Sequence, residues 1–124
     1  MAGTPRFEGQ PPIDAYGDGG FRLERQRFEG SIIVTPRGLF PWGITRIEDA
    51  NTTSLTPLVD VIGEFDFLII GTGPVTEPLP REARKWLESQ AIFPDIMGTP
   101  AACRTYNLML SENRRVAAAM IAVD

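Results

Sequence analysis

Phe65-Asp66-Phe67-Leu68-Ile69-Ile70 runs directly into Gly71-Thr72-Gly73-Pro74, and this stretch decides the fold. A nearly continuous apolar run without period-two alternation reads as a strand covered on both faces, which implies helices packed on a sheet. The Gly-Thr-Gly-Pro that follows ends the strand abruptly.

Toward the C-terminus, the pattern predicts a helix from about Pro80 to Gln90. Leu79, Ala83, Trp86 and Leu87 form its apolar stripe, opposite Arg81, Glu82, Arg84, Lys85 and Glu88. Ile92 to Met97 is a short strand interrupted by Pro94, which places it near a sheet edge. Thr99-Pro100 combines a capping hydroxyl with a proline at the first helical position and opens a helix to about Glu112. Ala102, Tyr106, Leu108, Met109 and Leu110 surround much of its circumference, so deep burial is expected. After the Asn113-Arg114-Arg115 turn, Val116 to Val123 is apolar on both faces and reads as an internal strand. The back half is therefore β-α-β-α-β, with right-handed crossovers as the default.

Toward the N-terminus the rhythm changes. Thr56-Pro57 repeats the hydroxyl-then-proline signal and predicts one or two helical turns, ended by Gly63. Before it, Ile13 to Tyr16 pairs with a neighbour, and Gly17-Asp18-Gly19-Gly20 turns. Phe21 to Glu24 alternates as a half-buried strand, and Phe28 to Thr35 reads as one longer strand with a β-branched centre. Pro36-Arg37-Gly38 turns the chain into a return strand over Leu39 to Trp42. This half is antiparallel. Residues 1–12, polar and rich in Gly and Pro, read as a mobile tail, leaving 13–124 as one domain. The fold class is α/β (α+β): a single domain with a mixed sheet.

Composition narrows the chemistry. With 124 residues, a net charge of -4, and 12 Lys and Arg interspersed among 16 acids, the chain lacks the basic face of a nucleic-acid binder. Met1 to Arg6 carries no signal-peptide core, and the longest apolar run, Ala117 to Val123, is too short to span a bilayer. One cysteine precludes an internal disulfide and suits a reducing compartment, so a cytoplasmic setting without membrane insertion is expected. The absence of histidine removes Ser-His-Asp and Cys-His nucleophiles and the commonest metal ligand. No metal and no cofactor are expected.

Gly71-Thr72-Gly73 after a buried strand is the sharpest remaining feature. Such a turn can present backbone N–H groups to a phosphate. The dinucleotide fingerprint fails, however, because Thr76 stands where the third glycine belongs, and Pro74 removes one donor. The same residues also fit a tight turn that needs positive φ or close backbone packing. Cys103 near a helix start is either an activated thiol or a small core residue. Lys85 and Ser89 resemble a Ser-Lys pair but lie on a charged, solvated face. Asp66 is either a buried acid or a strand-entry residue. Arg114-Arg115 either binds an anion or complements a helix C-terminus. Phe40 and Trp42 form either an interaction patch or part of the core.

Taken together, the Phe-Glu-Gly-Ser-Ile-Ile-Val-Thr strand leading to Leu39-Phe40-Pro41-Trp42, then Leu68 to Gly73, Met97-Gly98-Thr99-Pro100-Ala101-Ala102, Thr105-Tyr106-Asn107 and Arg114 to Ala118 form a pattern. It resembles domain of unknown function family 498, the MTH 938-like fold family, over about residues 13 to 123. The resemblance implies a β/α domain with a mixed sheet and a hammerhead-like β extension. Members of that family include a mitochondrial respiratory complex I assembly factor, a cytosolic adipogenesis-associated protein and bacterial proteins. It carries no catalytic residues over. It does carry a candidate pocket of Gly71, Thr72, Gly73, Thr99, Thr105, Tyr106, Asn107 and Arg114. Only Arg6 among the first twenty residues is basic, unlike a mitochondrial presequence, which favours a bacterial or cytosolic setting. The expected role is a non-catalytic interaction domain assisting assembly of a membrane or respiratory complex, with a protein partner. The alternative is a small-molecule or anion-binding domain, with weak enzymatic activity, at the Gly71–Gly73 turn. A homodimer through the sheet edge near Ile92 is a third reading.

Overall fold

The computed structural model describes residues 9–124. The chain runs through β1 (Ala15–Gly17), β2 (Gly20–Leu23), β3 (Gln26–Glu29), β4 (Ile32–Thr35) and β5 (Gly38–Pro41). Two short 3-10 helices (Ile47–Asp49 and Thr56–Val61) follow, then β6 (Phe67–Gly71), α1 (Arg81–Ser89), β7 (Asp95–Met97), α2 (Thr99–Ser111) and β8 (Val116–Met120). Strands β1, β2 and β3 make an antiparallel three-stranded sheet, and the others make a mixed sheet in the order β5-β4-β8-β6-β7.

The sheet order explains where the helices go. β6 lies between β7 and β8 and is parallel to both. The α1 crossover therefore steps one way along the sheet and the α2 crossover steps back the other way, so two right-handed crossovers must cover opposite faces. The side chains divide accordingly. Leu68, Ile70, Ala117 and Ala119 pack with Ala83 and Leu87 of α1. Ile69, Ala118 and Met120 pack with Ala102, Cys103 and Tyr106 of α2, joined by Phe21 and Leu23 from the small sheet. β8 is buried at every position, as its two-sided apolar sequence predicts.

Several expectations need correcting. The strand expected over Phe28 to Thr35 is two strands in different sheets, because Gly30 takes φ 81 and turns the chain out of one sheet into the other. The front half is antiparallel, but it is divided between the two sheets. Thr56 does not cap: its hydroxyl donates back to the Thr53 carbonyl (2.6 Å), and the segment winds as a 3-10 helix. Helix α2 is buried along one stripe only, with Leu108 59% exposed. Of the segment read as a tail, residues 1–8 lie outside the described residues, while Pro11 is buried against the domain.

The edges of the main sheet are blunted. Met97 accepts a bond from the Thr72 N–H (2.9 Å), so by alternation Pro94, Ile96 and Gly98 face outward from β7. Pro94 has no N–H, and the Gly98 N–H donates to Thr76 Oγ1 (3.1 Å), leaving Ile96 as the open donor there among the described residues. At the other edge, Trp42 bonds to Ser31 (2.8 Å), which turns Pro41 outward. Proline at outward positions discourages strand addition.

Asp66 is exposed at the foot of β6, bonded bidentately by Arg115 (2.8 and 3.0 Å). The Arg115 hydrogen bonds hold its carboxyl below the ordinary 3.8. Of the two readings of Asp66, this is the strand-entry one, with the carboxylate paired at the surface.

Candidate functional site

The turn after β6 is a closed hydrogen-bond lock. Thr72, 2% exposed, donates its N–H to the Met97 carbonyl (2.9 Å). Its hydroxyl donates to the Val75 carbonyl (2.6 Å) and accepts the Glu77 N–H (3.1 Å), tying down the loop that follows. Gly73 donates its N–H to Thr99 Oγ1 (3.0 Å) and accepts the Thr99 N–H (2.7 Å). The fully buried Thr99 hydroxyl in turn donates to the Ile121 carbonyl (2.7 Å), whose own N–H donates to Gly71 (2.9 Å). One threonine side chain thus joins the ends of β6 and β8 to the start of α2. Thr99 opens the helix as its sequence predicts, but Gly98 occupies the capping position and the hydroxyl serves the lock instead.

The glycines follow from this crowding. A Cβ at Gly71 would sit 2.9 Å from both Met120 Sδ and Thr99 Oγ1. Gly73 adopts φ 111, a conformation side chains avoid. The N–H groups of Thr72, Gly73, Gly98 and Thr99 all point to internal acceptors, so none of the four is left to hold an anion.

The remaining expected site residues do not converge here. Thr105 places its hydroxyl on Met97 Sδ (3.4 Å). Tyr106 is fully buried, which raises its phenol pKa, and donates to the Pro11 carbonyl (2.7 Å). Asn107 brackets Ile13, accepting its N–H (2.8 Å) and donating to its carbonyl (2.8 Å). Arg114 lies beyond the far end of α2, on the order of 18 Å from Thr99 along the helix. It bonds Glu112 (3.1 Å) and stacks over Phe67 (5.5 Å). The eight residues therefore make a lock (Gly71, Thr72, Gly73, Thr99), a clamp on the N-terminal segment (Tyr106, Asn107) and two separate contacts (Thr105, Arg114). Sequence reasoning missed Gln10 and Pro11 as partners of that clamp. The available signal was an isolated aliphatic, Ile13, following Pro11-Pro12.

A groove of about 350 Å³ does lie beside the turn, lined by Ser31, Thr45, Pro74, Ala122, Val123 and Asp124 among others. Among the described residues that line it, Asp124 is the only charged one, so these residues offer an anion no cation. Among the described residues no three His, Cys, Asp or Glu side chains converge as metal ligands. Ser89 donates to the Trp86 carbonyl of its own helix (2.5 Å) on an exposed face, away from Lys85 chemistry. Trp42 is core, 2% exposed, and its Nε1–H finds no acceptor among the described residues.

Cys103 is also core, and burial pushes its thiol up to about 12. At pH 8 the thiolate fraction in the folded state is then on the order of one part in ten thousand. Thiol-reagent labelling in native buffer is expected to proceed only through unfolding, so its rate should track the unfolded fraction and rise with pH only as an exposed thiol does. Labelling as fast as that of the unfolded chain, and unchanged when urea alters the unfolded fraction, would sink this reading.

The described residues contain no helix long and apolar enough to cross a membrane. A family model described as "Protein of unknown function (DUF498/DUF598)" matches residues 13–121. An uncharacterized protein of Rhodobacter capsulatus is 35% identical over 117 residues, covering 94% of this chain and 89% of that one. NADH dehydrogenase [ubiquinone] 1 alpha subcomplex assembly factor 3 of Drosophila melanogaster is 34% identical over 112 residues, covering 88% of this chain but 57% of the relative. Among solved structures, one titled an outer membrane protein from Bartonella henselae matches with TM-score 0.89 at 39% identity, over 96% of this chain and 100% of that one. A Mth938-like domain from Bordetella pertussis matches with TM-score 0.74 at 25% identity, over 98% of this chain and 92% of that one. With a family model spanning nearly the whole domain and these relatives agreeing with it, the chain belongs to the DUF498/DUF598 family and has its Mth938-like fold.

Proposed function

We propose that the chain is a protein-docking domain, without catalytic chemistry of its own, that assists assembly of a membrane-bound respiratory complex from the cytoplasmic side. The observation that carries this reading is the similarity to relatives named as NADH dehydrogenase assembly factors, which covers 88% of this chain. The chain spans about 60% of those relatives' length, so it corresponds to their shared domain and not to everything they do. The site geometry supports the same direction. A ligand-binding turn needs free N–H groups, and here they close the fold on itself. Deleting the gene in its own host is expected to lower the amount of assembled NADH dehydrogenase, read by native electrophoresis of membranes, with restoration by the wild-type chain. Unchanged assembly would overturn the proposal. A thermal shift with phosphate or nucleotides would instead favour a ligand site, because a ligand bound only by the folded state raises its melting temperature.

A further inference from the structure

Residues 10–13 lie as a strap outside both sheets, closing one side of the α2-facing core. Asn107 makes to Ile13 the two bonds a neighbouring strand would make, accepting its N–H (2.8 Å) and donating to its carbonyl (2.8 Å). Tyr106 holds the Pro11 carbonyl (2.7 Å), and the Gln10 side-chain amide donates to the Val116 carbonyl (2.8 Å). Pro11 and Ile13 point inward and are buried, while Pro12 and Asp14 are exposed. The polar contacts of the seat come from α2 and β8, while Ile13 shares its apolar cluster with Phe21 and Leu23 of β2, where Asp14 donates its N–H to the Arg22 carbonyl (2.8 Å).

This recognition reads an extended backbone and alternate apolar side chains, the mode by which folded domains capture peptide segments. None of its contacts requires the strap to be covalently attached. We infer that the seat on α2 and β8 is an exchangeable docking site for an extended segment of a partner protein. That segment would carry an amide side chain, a proline and, two residues after the proline, a β-branched aliphatic; the chain's own residues 10–13 act as its competitor. The inference rests on the protein-docking reading above. A tethered competitor acts at roughly millimolar effective concentration, so the intact chain must bind an added segment weakly and a strap-weakened chain more tightly.

The test uses a labelled hexapeptide with the sequence of residues 9–14, titrated into the full chain. The Ile13→Ala chain is expected to bind it at least tenfold more tightly than wild type. The Ile13→Ala/Asn107→Ala chain is expected to lose at least tenfold of that gain. No binding to Ile13→Ala at millimolar peptide, or equal binding with and without Asn107, overturns the inference. Amide exchange in the wild-type chain needs no variant. Ile13 is expected to exchange faster than Ala118, and equal rates would mean that the strap opens only with the whole fold, which also overturns it. A wild-type dimer that the peptide dissociates would assign the seat to a second copy and count against a foreign segment. If the peptide fails while gene deletion still lowers assembled NADH dehydrogenase, only the strap inference falls.

Discussion

Replacing Thr99 by valine is expected to lower the unfolding free energy by about 2–6 kcal/mol, a large loss for a change that keeps the side chain's volume. The substitution leaves the Gly73 N–H and the Ile121 carbonyl facing a methyl group in a fully buried position. Each buried group left without a partner costs about 1–3 kcal/mol, which is the source of the range. Thr99→Ser keeps both bonds and removes only a methyl, so its cost should stay near 1 kcal/mol. Urea denaturation of the two variants separates the effects. Equal losses would show that packing, and not the hydroxyl, holds the turn.

The second large effect is at Trp42. Trp42→Ala removes a fully buried indole from the α1-facing core and should cost about 3–5 kcal/mol. Trp42→Phe should cost much less, below about 2 kcal/mol, because it also removes an N–H that finds no acceptor among the described residues. The ordering is the useful part: a phenylalanine as damaging as alanine would mean that the indole nitrogen has a partner after all.

The two halves of the chain differ in how much their sequence reveals. Phe67 to Gly71 and Val116 to Met120 announce themselves because two-sided burial removes polar residues from both faces. Pro94 located the edge strand, and Asp18-Gly19, with φ 52 and 78, marked the β1–β2 turn in the usual way. The β2–β3 turn was hidden because Glu24 and Arg25 adopt positive φ (51 and 67) without the residue types that normally signal it. Leu108, Met109 and Leu110 overstated the burial of α2, since apolar residues are tolerated singly at a surface. The site was less legible than the fold. Thr72 and Thr99 look like ligand-binding hydroxyls in a one-dimensional reading. Their acceptors, Val75 and Ile121, become neighbours only once the strand ends and the helix start are brought together. Tyr106 and Asn107 read as candidate pocket residues, whereas their hydrogen-bond partners, Pro11 and Ile13, lie 95 and 94 positions away in the N-terminal segment.

Hydrogen exchange at the amides of Thr72, Gly73 and Thr99 tests most directly whether the turn is a structural lock or an open binding loop. All three donate to internal acceptors at 2.7–3.0 Å, and they should exchange as slowly as the amides of β8, with no change on adding inorganic phosphate. Rapid exchange at these three while β8 stays protected, slowed when phosphate is added, would contradict the lock and return the turn to the role of an anion site.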